Sequence, residues 1–322
     1  MTEIRAAARP GGLPPVAISS TVAVAVAGGV LAMLLHPTLG LYASDGVAMV
    51  CALPVAGMAV FATIAPREMP VRRWLRRFVV VLAVTGSVAT LLTVPFDIMS
   101  IADNGIRGLG NGLARSAAWH SGQYATALTR VAGLVVVAWG FRASGKRAEW
   151  LAVFGALVIF ASFAMTGHAR THTPTVAVVA TLVAHVAAAA TWFGGLIGLA
   201  LSLRRVRADD LAAGRVLAAF ARSMTFVLAL LLAAGVGLTI LYLPSPRALV
   251  ATTYGQVLLV KLAALLGVLV LSAANHVRLV PAAVRGNATA VRVLRANVAA
   301  EQFGLLAIVV ITEVLMRQNP GG

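Results

Sequence analysis

The stretch MTFVLALLLAAGVGLTILY, residues 224–242, contains 19 residues and no charged side chain. A helix of that length rises about 28 Å, close to the ~30 Å hydrocarbon core of a bilayer. Comparable apolar runs recur along the whole chain, so we expect lipid rather than water to surround much of the protein. The predicted spans are residues 16–35, 46–65, 78–96, 124–141, 150–167, 175–203, 224–242, 254–274 and 298–316.

The composition is also that of a membrane protein. Of the 322 residues, 60% are hydrophobic and 11% are charged, and the mean hydropathy is +0.92. A soluble domain has about a quarter of its residues charged. We therefore predict an all-α fold, a polytopic transmembrane helix bundle of about nine spans. The single cysteine, Cys51, excludes an intrachain disulfide.

The positive charge follows the predicted topology instead of forming one patch. The formal net charge is +16, and alternate connections hold 19 of the 26 Lys and Arg residues. Two precede the first span, five lie in 67–77, three in 142–147, five in 204–222 and four in 278–295. Because cytoplasmic loops carry the Lys and Arg excess, we predict an N-in/C-out, multi-pass protein of the cytoplasmic membrane, with no nucleic-acid partner.

The first predicted span has two interpretations. It follows Arg5 and Arg9 and could be a signal peptide. A membrane helix is favoured, because Leu-Leu-His-Pro at 34–37 is a poor cleavage site and the span is long for a signal peptide. We assign 1–45 to a tail with an extra first helix, and 46–322 to an eight-helix membrane domain.

The eight-helix domain resembles two four-helix halves, residues 46–167 and 175–316. Each half begins outside, and its third helix has a basic residue near the outer end, Arg130 or Lys261. Since each half has an even number of helices, such halves would be parallel repeats about an axis along the membrane normal.

Ionisable side chains inside the apolar runs are candidates for function, because charge within lipid is costly. Lys261 lies about two turns below the outer surface and Glu313 about one turn below it, so the geometry allows an ion pair. Asp97 and Arg130 could pair likewise. The pattern favours structural pairs over an ion or proton path. Glu301, near the cytoplasmic end, is close enough to the surface to reach water.

Histidine is the sharper signal. The outer turn after the fifth span reads MTGHARTHTP from Met165, and it contains His168 and His172. His185 is ten residues past Thr175, about 15 Å along a helix and inside the lipid. A neutral imidazole has one acceptor nitrogen that can bind a metal, while the other needs a hydrogen-bond partner. Met165 precedes His168 by three residues, on the same helical face.

Sulfur ligands occur on the second span, where Cys51 and Met58 share a face at an i, i+7 spacing. Thiolate and thioether ligands select Cu(I), so His, Met and Cys on the outer halves of neighbouring helices would suit copper. The alternatives are methionine as core filler, a membrane histidine bonded to a backbone carbonyl, and a solvated loop histidine. No Walker A loop, HExxH or CxxC motif is present, so we predict no enzyme.

These residues lie in motifs that resemble the copper resistance D (CopD) family. The motifs are GHA at 167–169, AHVAAAATWFGGL at 184–196, and TYG at 253–255 followed by Lys261 and Asn275. The resemblance implies a multi-helix protein of copper transport across bacterial inner membranes. On this hypothesis His168, His185, His172 and Met165 are the candidate copper ligands. The resemblance also implies a helix-packing motif of Trp192, Gly194 and Gly195.

The chain departs from the family pattern in two places. Family members usually have eight spans, so the first helix is an addition, and the Thr-x-x-Gly pattern expected before Arg130 is replaced by Ser121-Gly122-Gln123. The resemblance extends to actinobacterial proteins that join a CopD part to a CtaG-type cytochrome oxidase assembly domain. Such a relation would make copper supply to an oxidase the biological role.

Three functions stay open at this point. The first is a membrane protein that moves or delivers copper, with Cu(I) as the ion and a periplasmic copper chaperone or oxidase assembly factor as partner. The second is a redox protein in which His168 and His185 ligate haem b. The third is a non-transporting assembly partner of cytochrome oxidase.

Overall fold

The computed structural model describes residues 36–65, 70–165, 174–205, 211–243 and 245–318. Every regular element in these ranges is helical, which confirms the predicted all-α fold class. In chain order the elements are α1 (Pro37–Ile64), α2 (Val71–Ala102), a 3₁₀ helix (Gly105–Gly110), α3 (Gly112–His120), α4 (Gln123–Arg142), α5 (Lys146–Ser162), α6 (Thr175–Leu203), α7 (Leu211–Tyr242), α8 (Ala248–Ala251), α9 (Thr253–Ala274), a π-helical turn (Asn275–Leu279), α10 (Val280–Val284) and α11 (Ala288–Met316).

Seven helices in the described ranges are long and apolar enough to cross a membrane. They are α1, α2, α4, α6, α7, the continuous segment Thr253–Val284, and α11. The prediction of about nine spans is therefore not exact. Helix α5 has only 17 residues, and the predicted first span, 16–35, lies outside the described residues. A polytopic helical bundle is nevertheless confirmed.

Several helices are longer than the predicted spans, whereas α6 matches its span at Thr175–Leu203. Helix α1 begins at Pro37 instead of 46, and α2 runs from Val71 to Ala102 instead of 78–96. Apolar runs mark only the part of a helix that contacts lipid, whereas the backbone hydrogen bonds continue through polar residues at both ends.

Successive helices in the N-terminal part are antiparallel. In α1 and α2, Gly40 faces the ring of Phe96 while Gly86 faces Cys51. In α4 and α5, a Cβ on Gly133 would lie 2.7 Å from the side chain of Ile159. These approaches need a residue without a side chain on one helix, as in membrane helix pairs generally.

Helix α6 packs in parallel against α1 through small residues. A Cβ on Gly194 would lie 2.7 Å from the Cα of Gly57, so neither position tolerates a side chain. On the other side of α6, Gly195 faces the ring of Phe220 in α7. Trp192 is 1% exposed and lies in the hydrophobic core. The stretch around Gly194 thus joins α6 to both neighbours.

Basic segments gather at one end of the bundle. Arg72 at the start of α2 donates hydrogen bonds to the carbonyls of Gly140 and Ala148. Arg295 of α11 donates to the carbonyl of Leu203 at the end of α6. This is the end that the charge distribution predicts to be cytoplasmic, and the opposite end is called the outer end below.

Candidate functional site

The imidazole of His185 faces helix α7 in the outer half of the bundle. A Cβ placed on Gly235 would lie 3.4 Å from the Cε1 atom of the ring and 3.5 Å from Nδ1. The ring also makes a hydrogen bond to the backbone of Leu231, as in the alternative of a membrane histidine bonded to a backbone carbonyl. Its Nδ1 atom is buried and makes no hydrogen bond to the part of the chain that the structure describes. His185 therefore presents an unsatisfied nitrogen inside the lipid thickness.

Room for this imidazole comes from glycines on α7. Gly235 lies opposite the ring, and a Cβ on Gly237 would lie 3.1 Å from the Cγ2 atom of Thr181, one turn before His185. A larger side chain at 235 would cover Nδ1. Sequence reasoning missed Gly235, because its importance depends on which face of α7 meets α6.

Lys261 of α9 is the charged group near this histidine. The two side chains interact electrostatically, and Lys261 forms no ion pair within the described ranges. The predicted pair of Lys261 with Glu313 is wrong. Glu313 instead contacts Arg317 at 3.5 Å, because the i, i+4 spacing places both on one face of the helix end.

Four charged residues meet at the outer end, and we call them the outer ionic cluster: Asp45, Arg130, Glu313 and Arg317. Arg130 Nη1 lies 3.3 Å from Asp45 Oδ1, and Arg317 Nη2 lies 3.4 Å from Asp45 Oδ2. The guanidinium of Arg317 also stacks on the ring of Tyr42, 4.1 Å from its centroid. The cluster joins α1, α4 and α11, so it fixes the outer ends of three helices.

The predicted pair of Asp97 with Arg130 is also wrong, since Arg130 pairs with Asp45. Asp97 instead interacts electrostatically with Arg317 and Asp45, at the edge of the cluster. The sequence does contain a feature that identifies Asp45 as a candidate for an ion pair. Asp45 is the one charged residue in helix α1, but the predicted span began one residue after it.

The ligands proposed for the outer turn are only partly covered by the structure. Met165 follows α5, and its neighbour Ser162 accepts a hydrogen bond from Nε of Arg130 at 3.4 Å. The chain therefore leaves α5 beside the outer ionic cluster. His168 and His172 lie outside the described residues, so their role as ligands stays a prediction.

Cys51 and Met58 are both in the packed interior of α1. Cys51 is 4% exposed and its Cβ faces Gly86 of α2, whereas Met58 is fully buried in the core. Seven residues correspond to about 10 Å along a helix, which is too far for two short sulfur ligands to share an ion. Their environment is that of core side chains.

Glu301 does not reach water as predicted. Its side chain on α11 is 2% exposed, and Oε1 accepts a hydrogen bond from Asn275 Nδ2 at 2.5 Å. Asn297 Nδ2 donates in turn to Asn275 Oδ1 at 2.6 Å. We call these three residues the inner amide cluster. The expectation failed because α9 packs against this face of α11 and shields it.

No group of three or more His, Cys, Asp and Glu side chains within the described ranges is arranged to hold a metal ion. His185 is thus one candidate ligand and not a complete centre. The other ligands suggested by the sequence are the thioether of Met165 and the imidazoles of the turn that follows it.

Two parts of the chain match known protein families. Residues 36–177 match the family described as "Copper resistance protein D-like, N-terminal domain". Residues 214–315 match "Copper resistance protein D". The chain belongs to the copper resistance D family. It is therefore a multi-pass membrane protein of copper resistance, as the motifs predicted. No curated protein and no solved structure matches the chain.

Most candidate residues lie within one or other of the two matched ranges. The N-terminal match contains Asp45, Arg130 and Met165, and the second contains Lys261 and Glu301. His185 lies on α6 between the matched ranges. The case for His185 as a ligand therefore rests on its geometry and not on the family match.

Proposed function

We propose that this copper resistance D protein moves or delivers copper across the cytoplasmic membrane through an outer-half site built around His185. The observation that supports it is the buried Nδ1 atom of His185, which has no hydrogen-bond partner in the described ranges. An unpaired polar atom inside lipid raises the energy of the protein, so its retention favours a ligand that satisfies it.

The chemistry of the nitrogen fits a transition metal. A neutral imidazole has one lone-pair nitrogen, and imidazole binds copper well. In the tautomer with hydrogen on Nε2, Nδ1 of His185 is the acceptor and would be the ligand atom. The proposal places copper on the side of the ring that faces Gly235.

Met165, His168 and His172 would supply the ion from outside. Met165 adjoins the outer ionic cluster, and the two histidines follow it by three and seven residues. A thioether favours Cu(I) over Cu(II), so Cu(I) is the proposed ion. A periplasmic copper chaperone or an oxidase assembly factor would exchange copper with this turn.

The cation of Lys261 would make copper binding at His185 reversible. Like charges repel, and the repulsion is stronger in the low dielectric of a bundle interior than in water. A carrier needs a site from which its cargo leaves, so a nearby ammonium group suits transfer better than storage. We infer that copper is the cargo of a carrier and not the cofactor of an enzyme.

Metal titration of the purified protein tests the proposal. Cu(I) affinity is measured by competition with a chromogenic chelator for wild type, His185→Ala and a control, His276→Ala. His276 is an exposed histidine on the π-helical turn. We expect at least about a tenfold loss of affinity, 1.4 kcal/mol, in His185→Ala alone. Unchanged affinity would remove His185 from the mechanism.

The same preparations test the other two functions. A Soret band that disappears in His185→Ala would favour a b-type haem protein over a copper carrier. Absence of both copper and haem binding, with a stable complex that copurifies, would favour an oxidase assembly partner.

A further inference from the structure

The inner amide cluster lies far from the proposed copper site. Asn275 follows Lys261 by 14 residues on one continuous helix, Thr253–Val284, which corresponds to about 21 Å. Glu301 precedes Glu313 by 12 residues on α11, about 18 Å. The cluster is therefore in the inner half of the bundle, and neither the outer site nor the outer ionic cluster uses it.

The carboxyl group of Glu301 has hydrogen bonds but no counter-charge. Asn275 donates to it, Ser272 also interacts with it, and no charged side chain of the described ranges does so. A buried carboxylate without a cation is costly in a low dielectric, whereas the neutral acid is not. This environment favours a proton on Glu301 and leaves the group able to ionise when a positive charge arrives.

The charged and titratable side chains described on the neighbouring elements do not interact with Glu301. Arg295 on α11 donates to the carbonyl of Leu203 on α6. Arg204 at the end of α6, and His276 and Arg278 on the π-helical turn, are exposed. The hydrogen-bonding groups of the described ranges that face Glu301 are neutral, so none of them would balance the charge of its carboxylate.

The backbone beside Glu301 has an unusual hydrogen-bond pattern. Asn275 begins the π-helical turn Asn275–Leu279, and Pro281, two residues beyond that turn, has no N–H to donate. A wider π turn accommodates the proline, and such turns are frequent at functional sites. The side-chain amide of Asn275, at the start of this π turn, is directed toward α11, where it donates to the carboxyl group of Glu301.

We propose that Glu301 is a proton-binding site that exchanges its proton for the positive charge of copper in the inner half of the membrane. This rests on the proposed copper function. As Cu(I) enters the inner half from the outer side, the Glu301 O–H bond breaks, the proton leaves to the outer side, and the carboxylate balances the charge of the ion. When copper departs to the cytoplasm, the carboxylate takes up a proton from the cytoplasmic side, so copper and the proton cross the membrane in opposite directions.

A purely structural role is the competing explanation. Interhelical hydrogen bonds between Asn275, Asn297 and Glu301 would hold α9 against α11 without any proton transfer. Glu301→Gln keeps the shape and the acceptor for Asn275 but has no titratable proton. Glu313→Gln is the matched control, since it removes the carboxyl group of the outer ionic cluster from the same helix.

Infrared spectroscopy tests proton binding without copper. We expect a carboxylic-acid C=O band in wild type that titrates with pH, is absent in Glu301→Gln and is present in Glu313→Gln. If no wild-type band depends on Glu301, the group is permanently ionised and the inference is wrong.

Copper uptake into proteoliposomes tests the coupling. Wild type should move Cu(I) with an opposite flux of protons, reported by an internal pH dye, and Glu301→Gln should lose the proton flux while Glu301→Asp retains it. A proton flux that persists in Glu301→Gln would refute the coupling and leave the copper function intact. If wild type neither binds nor moves copper, the proposed function and the coupling both fail, while the infrared band still reports the proton site.

Discussion

Asp45 on α1 contacts Arg130 on α4 through Oδ1 and Nη1 at 3.3 Å, and the same carboxylate contacts Arg317 at the end of α11 through Oδ2 at 3.4 Å. One carboxylate thus pairs with two guanidinium groups from distant parts of the sequence. Arg130 is 4% exposed, so it has little access to solvent if that partner is removed.

Asp45→Asn should therefore destabilise the protein. Removal of one partner from a buried ion pair leaves an uncompensated charge, and we expect a loss of about 2 to 4 kcal/mol. Thermal unfolding in detergent measures it. Asp103→Asn, at an exposed position in a left-handed turn that asparagine tolerates, should change stability by less than about 0.5 kcal/mol. Equal stability of the two variants would show that the outer ionic cluster does not hold the helices together.

The contact of α1 with α6 predicts a second stability effect. Gly194→Ala would place a methyl group 2.7 Å from the Cα of Gly57, so the two backbones must separate, at an expected cost of at least about 2 kcal/mol. Gly267→Ala is the matched control, because a Cβ there meets nothing within 4 Å. It should be neutral or stabilising by up to about 1 kcal/mol. Unfolding curves measure the stability of both variants, and similar midpoints would contradict the packing role of Gly194.

Most of the fold could be predicted from the sequence, because apolar runs report directly on the solvent around a helix. The run 224–242 lies inside α7, and the described basic residues Arg72 and Arg295 lie at the end of the bundle that the charge distribution predicts to be cytoplasmic. Helix ends were less accurate, since charged residues such as Arg72 continue a helix beyond the lipid. The length of α5 could not be read from hydropathy alone.

The ion pairs could not be predicted, because pairing depends on which helices are neighbours. Arg130 selects Asp45 over Asp97 through the contact of α1 with α4 and α5, which no spacing along the chain encodes. Glu301 was misjudged for the same reason, since its distance from the helix end says nothing about the helix that covers it. His185 was recognised from its depth and from its place in the AHVAAAATWFGGL motif, whereas the position of Gly235 opposite its ring could be seen only in the structure.

The space beside His185 gives a third prediction. In Gly235→Ala the new methyl group would lie 3.4 to 3.5 Å from the ring on the side proposed for copper, so Cu(I) affinity should fall, but less than in Gly235→Leu. Gly235→Leu should cover Nδ1 and reduce affinity at least about tenfold, or 1.4 kcal/mol, as in His185→Ala. Chelator competition measures all three. If Gly235→Leu binds copper normally, the ion does not occupy the α7 side of the imidazole.

Lys261→Met tests the electrostatic effect on the proposed copper site. Removal of the ammonium group abolishes its repulsion of a cation at His185, so Cu(I) affinity should rise about tenfold, equivalent to 1.4 kcal/mol. Release should slow by a similar factor, so transport in proteoliposomes should fall while binding improves. Arg247→Met removes an exposed cation from the outer loop and should change neither quantity, because water screens it. Tighter binding together with faster transport would contradict a role of Lys261 in release, and unchanged binding would place copper beyond the reach of its charge.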